Sequence, residues 1–151
     1  MSEKFRQVTD LVFVSPQIEP ADVQAARDLG VILIVNNRPE GESDDQTPGD
    51  EIARAASEAG VDYVAIPVSH AGFSEAQVTA MRAALDRGLG SRVLAYCRSG
   101  TRSTLLWALA EASAGVDPAT LKADAARAGY DLAPIAAMLD MLAGRATSTG
   151  Q

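Results

Sequence analysis

Cys97 is the only cysteine of the chain and lies in "VLAYCRSGTRST", residues 93–104. The apolar run Val93–Tyr96 ends at it, and Arg98, Gly100 and Arg102 follow within five residues. A thiol kept for packing belongs inside such a run, where free cysteines are usually inert. Placed at its polar end, beside Arg-Ser-Gly-Thr-Arg-Ser, the residue fits a nucleophile. A strand that runs through a short loop into a helix turns the N–H groups of the loop and first helical turn inward. The helix N-terminus adds partial positive charge, so the loop is an anion cradle. The same field favours thiolate over thiol, and the thiolate is the reactive form. Ser99, Gly100 and Thr101 form the cradle, with Gly100 supplying a backbone conformation closed to other residues. Arg102 offers a planar guanidinium for a bound anion, and Arg98 points outward to screen the entrance.

The pattern around this loop predicts what carries it. Short β-type segments at Phe5–Val8 and Leu11–Val14 are separated by Thr9-Asp10. Pro20 fits the first turn of a helix ending near Leu29, with Gly30 as its stop. "VILIVN" is a β-branched apolar run of strand length, which predicts a strand buried on both faces. Residues 37–47 are polar, acidic and turn-rich, as an exposed loop would be. A helix opens after Thr47-Pro48 and closes at Gly60, and "VDYVAIPV" is the next strand. Ser74 with Gln77 is a capping box for a helix ending near Gly88, and "RVLAY" leads into Cys97. Helical spacing then fills residues 103–114, 118–128 and 132–142, with Trp107 as helix core. Alternating strands and helices imply an α/β fold with a mostly parallel sheet covered on both faces. Its active crevice lies at the carboxyl ends of the strands, where Cys97 stands.

Composition narrows the function classes. A chain of 151 residues, 47% hydrophobic, suits one domain with its own core, expected over residues 1–143 with a disordered tail at 144–151. A net charge of -7 argues against nucleic acid or an anionic membrane as partner. One cysteine makes no internal disulfide, which points to a reducing compartment. With no apolar leader and no apolar run of membrane length, the expected location is the cytoplasm. No metal-ligand cluster and no nucleotide-binding glycine pattern is present, so no cofactor is expected.

"YCRSGTRS" closing a buried strand, with "FVSPQI", "NNRPEGE" and "YVAIPV" upstream, resembles a bacterial family of small dual-specificity-phosphatase-like proteins. Its members are catalogued as a domain of unknown function (DUF442), and some are fused to persulfide dioxygenase-like or β-lactamase-like hydrolases. They are labelled phosphatase-like or sulfur transferase. The resemblance spans about residues 4–142 and implies the cysteine-phosphatase fold. One departure matters. Phosphatases of this fold place five residues between cysteine and arginine, whereas four separate Cys97 from Arg102. Four is the rhodanese spacing, and "CRSGTR" fits the rhodanese wording Cys-Arg-x-Gly-x-Arg. A tetrahedral phosphoryl group needs a wide ring of donors, and a persulfide, with one extra sulfur, a tighter one.

Such phosphatases also carry an aspartate general acid after the preceding strand, to protonate a poor leaving group. The matching stretch "SHAGFS" holds no carboxylate, and its titratable side chain is His70, the only histidine of the chain. His70 either donates the proton, binds an anionic substrate when charged, or is an exposed loop residue without a role. Asn36, Arg38 and Glu42, just past another strand's carboxyl end, either line the same crevice or form local ion pairs in a solvated loop. Ser103 either hydrogen-bonds the sulfur or caps the helix. The first reading is a cytoplasmic sulfurtransferase that loads Cys97 with sulfane sulfur from thiosulfate or a small persulfide and passes it to a thiol acceptor. The second is a phosphatase working through a phosphocysteine. The third is a non-enzymatic persulfide or anion sensor, or a partner of a separate persulfide dioxygenase.

Overall fold

Arg92–Tyr96 (β5) is the middle strand of the sheet, and every side chain from Val93 to Tyr96 is buried. In the computed structural model, which describes residues 4–88 and 90–149, it pairs in parallel with Val12–Ser15 (β2) and Val31–Asn36 (β3). Asp62–Ala65 (β4) continues the sheet beyond β3 in parallel, and Arg6–Gln7 (β1) closes the other edge antiparallel to β2. The order is β1-β2-β5-β3-β4. Register brings the carboxyl ends level. Tyr96 is opposite Ser15 on one side and Asn36 on the other, and Asn36 is opposite Ala65. The next residues of each strand therefore emerge along one rim, where open α/β sheets place their ligands.

Helices cover both faces. Pro20–Asp28 (α1) and Gly49–Ala59 (α2) pack on one face, around Phe13, Ile34, Ile52, Leu94 and Tyr96. Glu75–Arg87 (α3), Thr101–Ser113 (α4), Pro118–Arg127 (α5) and Ala136–Thr149 (α6) take the other. Helix α4 is buried at every position from Ser103 to Ala110, Trp107 included, because α3, α5 and α6 enclose it against the sheet. A helix apolar all round is a core helix, and this one starts directly from the cysteine loop. Ser74 and Gln77 form the expected reciprocal cap of α3. No helix among the described residues is long and apolar enough to cross a membrane.

Two expectations change. The segment read as a strand over Val61–Val68 is a strand only to Ala65. Beyond it Ile66 and Val68 donate their N–H groups to the carbonyls of Asn36 and Asn37, at 2.9 Å each, while Pro67 between them has no N–H to give. The stretch expected as a disordered tail from residue 144 continues α6 to Thr149, and residues 150–151 lie outside the described ones. Arg145 ties that extension back to Glu75 at the start of α3, at 2.9 Å.

Candidate active site

The chain leaves β5 at Cys97, crosses Arg98 and Ser99, and enters α4 after Gly100, whose φ of +89° makes it the left-handed N-cap. Only glycine enters that conformation without strain. Gly100 also lies against the Tyr130 hydroxyl and the Ser15 backbone, so a β-carbon there would collide. The turn aims the Gly100 N–H at the Cys97 sulfur, 3.1 Å away. Cys97 itself is fully buried, and its own N–H is spent on the Ser15 carbonyl at 3.2 Å. The loop is pinned from outside as well. Arg98 O accepts from Gln17 N at 3.3 Å, Ser99 O from the Tyr130 hydroxyl at 3.3 Å, and Gly100 O from Thr104 Oγ1 at 2.8 Å.

Arg102, in the first turn of α4, reaches back across the rim. Its Nη1 donates to the Val68 carbonyl at 2.6 Å, and Nη1 and Nη2 both meet Glu42, at 2.7 and 2.8 Å. The guanidinium is held more firmly protonated than usual, first by Glu42, with the Cys97 sulfur adding to the effect. Glu42 is shared, because Arg38 Nε also donates to it at 2.9 Å. The hydrogen bond from Arg102, supported by Arg38, outweighs burial and lowers the Glu42 carboxyl to about 2. At neutral pH it is a carboxylate, and it holds Arg102 rather than offering a proton.

Other candidates fall into place less as expected. Arg38 is buried, with Nε on Glu42, Nη1 on Gln17 Oε1 at 3.0 Å and Nη2 on Ser43 Oγ at 3.1 Å. Asn36 is buried too: its amide N–H donates to the Tyr63 hydroxyl and its Oδ1 accepts from Arg38 N, each at 2.9 Å. Of the two roles open to them, lining the crevice or pairing within the loop, the polar contacts they make are local ones to the scaffold. The Ser103 hydroxyl does not donate to the sulfur, because its one proton goes to Asn37 Oδ1 at 2.8 Å, and no side-chain hydrogen bond caps α4. Asn37 is oriented by its amide on the Ile66 carbonyl at 2.9 Å. Nothing in the residue types singled out Asn37; its position directly after the end of β3 was the available signal.

Arg98, Ser99 and Thr101 are exposed at the mouth, and Ser99 Oγ lies 3.1 Å from Thr101 Oγ1. His70 is exposed in the turn after β4. The structure thus brings together Cys97, Gly100, Arg102 and Glu42, with Ser103 behind them, and leaves His70 at the surface. The arrangement suits attack by a buried sulfur on an anionic substrate whose charge falls between Arg102 and the Gly100 N–H.

Comparison with known proteins agrees with this geometry. The curated relatives that match include β-lactamase hydrolase-like proteins from two bacteria. The one from Xylella fastidiosa is 40% identical over 82 residues, 54% of this chain and 19% of its own length. The one from Agrobacterium fabrum is 33% identical over 109 residues, 72% of this chain and 25% of its own. The chain therefore spans about a quarter or less of those relatives. A crystal structure from Neisseria meningitidis, provisionally assigned as a phosphatase, superimposes with a TM-score of 0.79 at 28% identity, covering 93% of this chain and 99% of the other. PTPMT1, in complex with PI(5)P, superimposes with a TM-score of 0.78 at 16% identity, covering 99% and 100%, which shows the shared cysteine-phosphatase fold. Residues 4–114 match the family described as "Beta-lactamase hydrolase-like protein, phosphatase-like domain", and the chain belongs to that family.

Proposed function

We propose that the chain is a cysteine-dependent sulfurtransferase built on the phosphatase-like fold. The supporting observation is a six-residue loop, Cys97 to Arg102, with no carboxylic acid able to donate a proton beside it among the described residues. In the first half-reaction the Cys97 thiolate attacks the sulfane sulfur of thiosulfate or a small persulfide. The sulfur–sulfur bond of the donor breaks, its electron pair leaves with sulfite or a thiolate, and a cysteine persulfide remains. An acceptor thiolate then takes the terminal sulfur and returns Cys97 to its starting form. Sulfite and thiolates leave without a proton, whereas an alkoxide needs one. Arg102 and the Gly100 N–H stabilise the anionic sulfur, and Glu42, Arg38 and Asn37 hold the walls. A persulfide dioxygenase consuming the product persulfide is a fitting partner.

Phosphatase action is the second reading, and the relatives favour it. Phosphatase is the word in the family's description and in that of the Neisseria meningitidis structure, and neither names sulfur transfer. Cys97 would attack phosphorus to give a phosphocysteine, with His70 as the donor to the leaving oxygen. The test measures sulfur transfer from thiosulfate and phosphate release from an aryl phosphate on the same preparation. Wild type should transfer sulfur and release little phosphate, and Cys97→Ser should do neither. His70→Ala should change sulfur transfer only modestly. Fast phosphate release that falls on the order of 10²–10⁴-fold in His70→Ala would establish the phosphatase instead.

A further inference from the structure

A polar cavity of about 210 Å³ opens beside the cysteine loop, lined by Lys4, Arg6, Pro16, Ser99, Gly129 and Tyr130. It shares Ser99 with the cradle, and Tyr130 forms the wall between them, with its hydroxyl on the Ser99 carbonyl. Ser99 is two residues past Cys97, a backbone reach of at most about 7 Å, so one small molecule can touch both places. Its cations are Lys4 and Arg6, the latter exposed on β1. Arg6 donates Nη1 to the Ala128 carbonyl at 3.2 Å and lies 6.0 Å from the centre of the Tyr130 ring. Gly129 leaves room for it, since a β-carbon there would stand 3.0 Å from that nitrogen. Among the described residues Arg6 has no carboxylate within ion-pair distance, whereas Lys4 is 2.8 Å from Asp22. In a chain of net charge -7, a cavity presenting about one uncompensated positive charge fits a monoanion.

We propose that this cavity binds a carboxylate carried by the substrate away from its reacting atom. The preferred sulfur donor or acceptor is then a small thiol acid and not thiosulfate alone. That choice of substrate rests on the sulfur-transfer reading, but the cavity's preference for a carboxylate does not. The loop recognises the reacting sulfur, and Arg6 recognises the far end.

The test is calorimetric binding of S-methylglutathione, a thioether that cannot transfer sulfur, and of its dimethyl ester. The wild-type chain should bind the acid roughly tenfold tighter than the ester, as one charge-assisted hydrogen-bonded contact gives. Arg6→Gln should bring the ratio near one, and Arg6→Lys should restore part of it. Equal binding of acid and ester by wild type, no binding of either, or a preference that survives Arg6→Gln would each overturn the proposal. A chain that binds the acid selectively yet never gains a persulfide on Cys97 keeps the cavity and loses the sulfurtransferase.

Discussion

Glu42 grips Arg102 with both carboxylate oxygens, Oε2 2.7 Å from Nη1 and Oε1 2.8 Å from Nη2. The two residues are 60 positions apart, on the loop after β3 and the first turn of α4. Each arrives from a different strand end, and their meeting closes the rim around Cys97. The pair leaves Glu42 without a proton to give and Arg102 without freedom to swing.

Glu42→Gln is therefore expected to lower turnover on the order of tenfold to a hundredfold, because a misdirected Arg102 no longer meets the developing charge. The pH dependence has a definite sign. The Glu42 carboxyl is lowered from 4.5 to about 2 in the folded chain, so its stabilising contribution is complete above 4.5. It is lost as pH falls from 4.5 toward 2. Thermal melts of wild type and Glu42→Gln should differ by a constant amount from neutral pH down to about 5, and converge below that. A difference that widens in acid would mean that Glu42 is not held as a carboxylate.

Arg102→Lys should abolish most activity, since a point ammonium cannot satisfy Glu42 bidentately while facing the sulfur. Arg98→Ala should be milder, raising KM more than it lowers kcat, because Arg98 is exposed at the mouth. Steady-state kinetics of both variants decide this. A heavier loss from Arg98→Ala would exchange the roles of the two arginines.

Gly100→Ala should destabilise the fold by about 1–3 kcal/mol through its left-handed backbone, with a further cost from collision with the Tyr130 hydroxyl. Adding Tyr130→Phe should return part of the collision cost and none of the backbone cost. Denaturant unfolding of the single and double variants separates the two. Full recovery in the double variant would show that the backbone is unstrained.

Much of this was legible in the sequence because it is local. The β-branched run of β3, the capping box Ser74–Gln77 and the strand ending in Cys97 each declare themselves within a few residues. The Cys97–Gly100–Arg102 spacing likewise carries its own chemistry. What stayed hidden depends on partners far along the chain. Glu42 and Arg38 read equally as crevice lining or as a solvated loop until the fold brings Arg102 to Glu42, and Arg38, bonded to the same carboxylate, is 5% exposed. Asn37 is an ordinary residue until Ser103, 66 positions away, donates to it. Asn36 turned inward to Tyr63 for the same reason: buried amides take whichever partner the fold brings. The helical extension past residue 144 was missed because its ion pair with Glu75 spans 70 residues.

The species that Cys97 carries between half-reactions tests the central claim most directly. Intact-mass measurement after incubation with thiosulfate or glutathione persulfide should show one added sulfur atom on wild type and none on Cys97→Ser. Cyanide or excess thiol should remove it. An aryl phosphate under the same conditions should leave no phosphoryl adduct and be turned over slowly or not at all. A phosphocysteine with rapid phosphate release, and no sulfur adduct from either donor, would contradict the account.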